Sequence, residues 1–318
     1  MQLNFFDVLS NLLGLFLLIA VGYAMTKGGL LPASVSAYFS KFLLKVTLPC
    51  TIFTSLLREY DPSFFKDIIT IIAIGLVLFP LNAFVSKALC RLARVPEGRR
   101  GVWAFCATFS NTGFMGFPII LALLGEEALA LAATLNIAFN IVVYTLGGTM
   151  VYSDRPAVDG KKEKLDLKGV LFTGINLSAV LGLVFYFAQI PVPDALLKPV
   201  THLANITTPL SMIVTGMNLT NRKLSQVFGD RDIFTSTFAR LIAIPLITFA
   251  LLTAVNLAFP FGNPLIMAVA FIIFSMPTAG VATILAQTYG ADQEFAAGIV
   301  FMTSLCCIIT IPVMVMLL

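Results

Sequence analysis

Apolar residues in this chain are gathered into long blocks. Ten runs stay predominantly apolar for about twenty residues or more, at about 5–26, 34–57, 66–92, 100–124, 128–152, 168–189, 197–219, 231–258, 264–289 and 294–317. A helix needs about 20 mostly apolar residues to cross a bilayer, so each run predicts one membrane-spanning helix. The strands of a membrane β-barrel would alternate apolar and polar positions instead. Turn and charge signals fill the gaps: Lys27-Gly28-Gly29, Asp61-Pro62, Arg94-Val95-Pro96, Gly125-Glu126-Glu127, Pro191-Val192-Pro193 and Phe259-Pro260-Phe261-Gly262. The longest connection, Ser153 to about Leu167, is too short and too polar to be a domain.

Composition supports that pattern. Of 318 residues, 58% are hydrophobic and 11% charged, against roughly 25% charged in an ordinary soluble domain. Mean hydropathy is +0.96. A water-soluble globule of this size could not cover itself with so little polar surface. A soluble enzyme, a disordered chain and a disulfide scaffold are excluded. Cys50, Cys90, Cys106, Cys306 and Cys307 lie in or at the ends of apolar runs, without metal-type spacing, and are expected to act as small packing residues. The first run has no basic residues before it, and Asp7 stands near its start, so it is expected to be a retained helix rather than a cleaved signal.

The distribution of cations orients the chain. Connections after odd-numbered runs hold Lys27; Lys87, Arg91, Arg94, Arg99 and Arg100; Arg155, Lys161, Lys162, Lys164 and Lys168; and Arg222, Lys223 and Arg231. The opposite side holds only Arg58, Lys66 and Lys198. Cations collect on the cytoplasmic side of a membrane. Both termini are therefore expected outside and the 153–167 loop inside, in a plasma membrane (a bacterial inner membrane). The net charge of +4 is accounted for by this asymmetry and is not a nucleic-acid signal.

Two mid-helix prolines recur at a matched spacing. Pro49 in the second run and Pro209 in the seventh lie 160 residues apart, and Pro118 in the fourth and Pro277 in the ninth lie 159 apart. Thr47 matches Thr207, and Thr51 matches Ser211. Five helices per copy is an odd number, so the second copy must enter from the other side. The expectation is an all-α polytopic protein of two inverted five-helix repeats, 1–152 and 168–318, joined by the cytoplasmic loop 153–167. Secondary carriers are built this way.

The fourth and ninth runs carry helix-breaking chemistry at mid-span. The fourth reads Ser110-Asn111-Thr112-Gly113-Phe114-Met115-Gly116-Phe117-Pro118, and the ninth Ser275-Met276-Pro277-Thr278-Ala279-Gly280. Proline removes a helical hydrogen bond and glycine lets the backbone open. Irregular backbone at this depth is tolerated only inside protein or beside a watery cavity. A pair of crossing discontinuous helices is predicted, with half-helices beginning at about Gly116–Pro118 and Pro277–Gly280. Half-helix N-termini carry a partial positive charge and free N–H groups, which suits a small organic anion.

Candidate site residues follow. Asn111 offers an amide to a carboxylate, or caps the break. Ser110, Thr112, Ser275 and Thr278 line the site or satisfy freed carbonyls. Gly113 and Gly116, where the backbone can open, count among the substrate-binding candidates, and Pro118, Pro277 and Gly280 shape the crossover. Asn136 and Asn140 share one helix face; intramembrane polar residues of this kind serve function or an interhelical hydrogen bond. Gln287 lies near the cytoplasmic end of the ninth run. Lys45 could pair with the anion or a proton, but its long stem favours snorkelling to the cytoplasmic face; Arg240 is read the same way. His202 is expected at the outer interface. All carboxylates fall in loops or at helix ends, which argues against carboxylate-based proton coupling. Coupling to H+ or Na+, or uncoupled potential-driven movement, stays open. No cofactor or metal is implied.

The run Ser110 to Ile119 resembles the fourth-helix signature of the auxin efflux carrier family. So do Leu48-Pro49, Gly216-Met217-Asn218-Leu219, Pro277-Thr278-Ala279 and Ala286-Gln287-Thr288-Tyr289-Gly290-Ala291-Asp292, and the similarity runs along essentially the whole chain. It implies ten helices, with a scaffold domain from helices 1, 2, 6 and 7 and a transport domain from helices 3–5 and 8–10. It also implies a homodimer. Bacterial members carry malate, malonate and related carboxylates; nothing in this chain points to auxin. The short central loop is like that of compact members. The leading expectation is a secondary carrier for a mono- or dicarboxylate. A sodium-coupled symporter of the bile-acid type is the alternative, and a membrane sensor a further one. A membrane enzyme lacks equipment: one histidine, no intramembrane carboxylate and no phosphate-binding loop.

Overall fold

A computed structural model of the chain describes residues 5–154, 174–220 and 229–318. Most of the expected cytoplasmic loop, and the start of the sixth apolar run, lie outside the described residues. Among them the structure is helical: α1 (Phe5–Lys27), α2 (Val35–Leu56), α3 (Pro62–Leu92), α4 (Arg100–Thr108), α5 (112–124), α6 (126–152), α7 (Gly174–Ala188), α8 (Asp194–Asn218), α9 (Arg231–Ala258), α10 (Pro264–Ser275), α11 (Val281–Tyr289) and α12 (Gln293–Val315). The fourth apolar run is divided into α4 and α5, and the ninth into α10 and α11. Gly125, at φ 82°, turns α5 into α6; a left-handed residue of this kind favours glycine.

Helix starts are written locally. Asp61, Asp230, Asn263 and Asp292 stand before α3, α9, α10 and α12, and each side chain accepts a backbone N–H from the first turn. Pro62 and Pro264 follow two of them at positions where the missing N–H costs nothing. Such caps contribute about 1 kcal/mol each.

Four helices contain a widened π turn: Leu43–Thr47 in α2, Thr112–Gly116 in α5, Val143–Gly147 in α6 and Ala239–Ala243 in α9. In three of them a proline stands two residues further on, at Pro49, Pro118 and Pro245. A proline ring clashes with the carbonyl four residues back, and a wider turn gives that carbonyl room.

Close backbone approaches fix the packing. A Cβ on Gly22 of α1 would lie 2.0 Å from the Ile213 carbonyl of α8, and one on Gly216 of α8 would lie 1.9 Å from the Ile19 carbonyl of α1. Small residues allow such contact where lipid supplies no hydrophobic drive between helices. α2 lies beside α7 and α8; Thr51 and Thr207 share a hydroxyl hydrogen bond of 2.7 Å. α3 packs on α6, where Gly75 meets Leu135 and Ala138. Large apolar side chains stay exposed on the perimeter, among them Leu17 on α1, Val77 and Phe84 on α3, and Leu177 and Val184 on α7. An apolar surface this extensive requires lipid, not water.

Candidate functional site

The two interruptions meet. Ser110 and Thr278 form an antiparallel bridge in which Asn111 N–H donates to Pro277 O at 2.7 Å and Ala279 N–H donates to Phe109 O at 2.9 Å. Each break thus satisfies backbone groups that the other frees, which buried peptide requires.

The fourth-run break lies at Phe109–Asn111, earlier than the sequence reading placed it. α5 starts at Thr112, so Pro118 is six residues inside it and does not open the helix; its effect is the π turn before it. Pro277 does sit in its break. Gly280 caps α11 with φ −60° and has open space where a Cβ would go, so its site does not demand glycine. A Cβ on Gly116 would meet Ile273 Cδ1 at 2.7 Å, so this glycine lets α5 approach α10. Gly113 has only Leu48 nearby, at an ordinary 3.7 Å.

Asn111 is the N-cap of α5. Its Oδ1 accepts from Phe114 N–H at 3.2 Å, and nothing among the described residues accepts from its Nδ2. Cap and free donor therefore coexist in one side chain. The Ser110 hydroxyl beside it is fully buried and has no hydrogen-bond partner among the described residues. At the start of α11, the N–H groups of Gly280 and Val281 likewise find no acceptor among them.

The other polar candidates are committed to the fold. Thr112 Oγ1 donates to Asn136 Oδ1 at 2.7 Å, tying α5 to α6. Asn140 Nδ2 donates to Asn176 Oδ1 at 2.7 Å, tying α6 to α7. Thr278 Oγ1 donates to Cys106 O, and its N–H donates to Thr303 Oγ1 of α12. Ser275 Oγ returns to Phe271 O one turn back. Lys45 is exposed in the π turn of α2, Gln287 is exposed in the last turn of α11, and His202 is exposed on α8.

Arg240 corrects the sequence reading. It does not snorkel; it is fully buried, with no carboxylate partner among the described residues. Its guanidinium donates to Ala107 O at 3.1 Å and Thr108 O at 2.7 Å, which end α4. It also donates to Met276 O at 2.9 Å and to Phe274 O, which end α10. One side chain caps the C-terminal ends of both first halves. Arginine suits this because five donors project from one planar fork. Its partners are 34–36 and 132–133 residues away in sequence, so no local pattern announced it.

A phenylalanine cluster surrounds these ends. Phe79 of α3 lies 4.5 Å from Phe274, 5.4 Å from Phe139 and 6.2 Å from Phe109, ring centre to ring centre. On the expected cytoplasmic side, Arg99 contacts Asp230 at 2.7 Å, Asp292 at 3.4 Å and Asp232 at 3.8 Å, joining the starts of α4, α9 and α12. Both oxygens of Asp154 accept N–H groups of α4, from Gly101 and Val102 at 2.8 and 2.7 Å. A separate groove of about 950 Å³ lies between the start of α3 and the α9–α10 connection, lined by Lys66, Asp67 and Asn263 at its polar end.

A family model described as "Membrane transport protein" matches residues 7–315. An uncharacterized transporter of Methanothermobacter thermautotrophicus is 24% identical, over 95% of each chain. An uncharacterized transporter of Methanocaldococcus jannaschii is 27% identical, over 91% of each. A Rhizobium meliloti protein, named provisionally as a malonate transporter, is 24% identical over 96% of this chain and 94% of its own. With the matched region running almost end to end, the chain belongs to the membrane transport protein family, the auxin efflux carrier-like family, and is a membrane-embedded protein.

Proposed function

We propose that this protein is a secondary carrier for a small carboxylate, binding it where α5 and α11 begin at the crossing of the two broken helices. The observation that carries this reading is the Ser110–Thr278 bridge. It places two half-helix N-termini, the free Asn111 amide and the unpartnered Ser110 hydroxyl in one region. N–H groups and a helix dipole favour an anion there. The name of the Rhizobium meliloti relative supports a dicarboxylate such as malonate as a first substrate to try.

The ten apolar runs are then ten spans in two inverted repeats, 1–152 and 168–318. Helices 1, 2, 6 and 7 form a scaffold, and helices 3–5 and 8–10 a transport domain that exposes the crossing to each side in turn. Both termini face outward across the plasma membrane. Uptake of labelled mono- and dicarboxylates into liposomes tests the proposal, using wild type and Asn111→Ala, with and without proton and sodium gradients. Saturable uptake of one acid, reduced at least about tenfold in folded Asn111→Ala, is expected. Absence of uptake of every acid under every gradient would overturn it.

A further inference from the structure

We infer that Arg240 sets the charge of the crossing at one positive unit, so that the site takes a substrate carrying one negative charge: a monocarboxylate, or a dicarboxylic acid in its singly protonated form. This deepens the carrier reading and rests on it.

The argument is a charge balance. A helix end carries about half an elementary charge, positive at the N-terminus and negative at the C-terminus. Four ends meet at the crossing: α5 and α11 begin there, and α4 and α10 end there. Left alone, the four half-charges cancel, and an anion entering the region would meet as much repulsion as attraction. Arg240 changes this. Its guanidinium binds only the two C-terminal ends, through Ala107, Thr108, Phe274 and Met276, and covers their negative charge. The two N-terminal ends are left unopposed, with one unit between them. No carboxylate pairs with Arg240 among the described residues, so the positive unit left at the two N-terminal ends is not balanced by an acidic side chain. An uncompensated charge in a low-dielectric interior is costly, and a bound monoanion relieves that cost. A dianion would leave an excess negative charge in the same place.

Other charges lie at helix ends. Among the elements around Arg240, α3 carries Lys66, Asp67, Lys87 and Arg91; α4 carries Arg100; α12 carries Glu294; α9 itself carries Arg231 and Asp232; and α10 carries none. The remaining titratable groups on these elements are thiols: Cys90 at the end of α3, Cys106 on α4, and Cys306 and Cys307 on α12. The pH dependence expected here therefore comes from the substrate, not from the protein.

Equilibrium binding of labelled lactate and malonate to purified protein, from pH 5 to pH 8, tests the inference, with liposome uptake measured alongside. Lactate is a monoanion throughout, and malonate passes from monoanion to dianion. For wild type, the Kd for lactate is expected to stay flat. The Kd for total malonate is expected to rise about tenfold per pH unit above that acid's second pKa. In folded Arg240→Gln, lactate binding is expected to weaken on the order of tenfold to a hundredfold, while Arg240→Lys, which keeps the charge, retains the preference for singly charged malonate. Constant malonate affinity across the range, or a parallel loss for both acids, would overturn the inference. So would lactate binding by folded Arg240→Gln equal to wild type. If Arg240→Gln does not fold, the wild-type comparison of the two acids still decides. Failure of folded wild type to bind or take up any carboxylate would remove the carrier reading itself, and this inference with it.

Discussion

In the proposed carrier Asn111 has two duties in one amide, and its two atoms separate them. Oδ1 caps α5 by accepting from Phe114 N–H, while Nδ2 stays available. Asn111→Asp keeps an acceptor at a helix N-terminus, where a negative charge is favourable, but removes the donor and repels an anion. The expected outcome is a thermal midpoint close to wild type with carboxylate binding reduced at least about tenfold; weakened folding with intact binding would reverse the assignment. Thr112 and Asn136 form a fold-bearing pair instead. A double-mutant cycle with Thr112→Val and Asn136→Ala should give a coupling of about 0.5–1.5 kcal/mol in stability, read from denaturation in detergent. Asn111 stood out in the sequence because a polar residue just ahead of Gly113, Gly116 and Pro118, in the middle of an apolar run, is costly without a purpose. Arg240 was not. Its length and charge suggested snorkelling, and only the crossing brings four carbonyls within reach.

At the scale of helices, the apolar blocks located the elements well: the structure starts α3 four residues earlier than expected, and keeps the predicted bounds of α9 at Arg231–Ala258. Which proline breaks a helix was not legible. Pro118 and Pro277 look alike in sequence, yet one widens a turn within a continuing helix and the other sits in the gap. The difference lies in what receives the freed backbone, and for Pro277 that partner is the Phe109–Asn111 segment, far away in sequence. Glycines divide the same way. Gly22→Ala and Gly216→Ala would each drive a methyl group into backbone across the α1–α8 contact, and each is expected to cost about 1–3 kcal/mol. Gly280→Ala, with empty space around it, should leave stability near wild type. Thermal unfolding in detergent ranks the three, and equal effects would contradict this packing.

For the whole molecule, charge asymmetry predicts orientation. In a cysteine-free background, Glu97→Cys should react with a membrane-impermeant maleimide only from the cytoplasmic side, and Glu59→Cys and Pro260→Cys only from outside; the opposite pattern would invert the topology. The Arg99 contacts with Asp230, Asp232 and Asp292 hold three helix starts to one guanidinium. Arg99→Ala is accordingly expected to lower the thermal midpoint and to speed hydrogen exchange at the starts of α9 and α12.

The bridge between the two breaks also has a consequence for biosynthesis. Thr278 reaches Cys106 across 172 residues of chain, so the first half of the protein is inserted long before the second half can cover its open peptide groups. Until then, the gap at Phe109–Asn111 lacks the partners that Pro277 and Ala279 give it. The crossing cannot close before residues 277–279 have been made. A ribosome stalled after α6 would display an unfinished membrane protein with the gap at Phe109–Asn111 open. A quality-control protease able to recognise that opening could sort incomplete copies from finished ones.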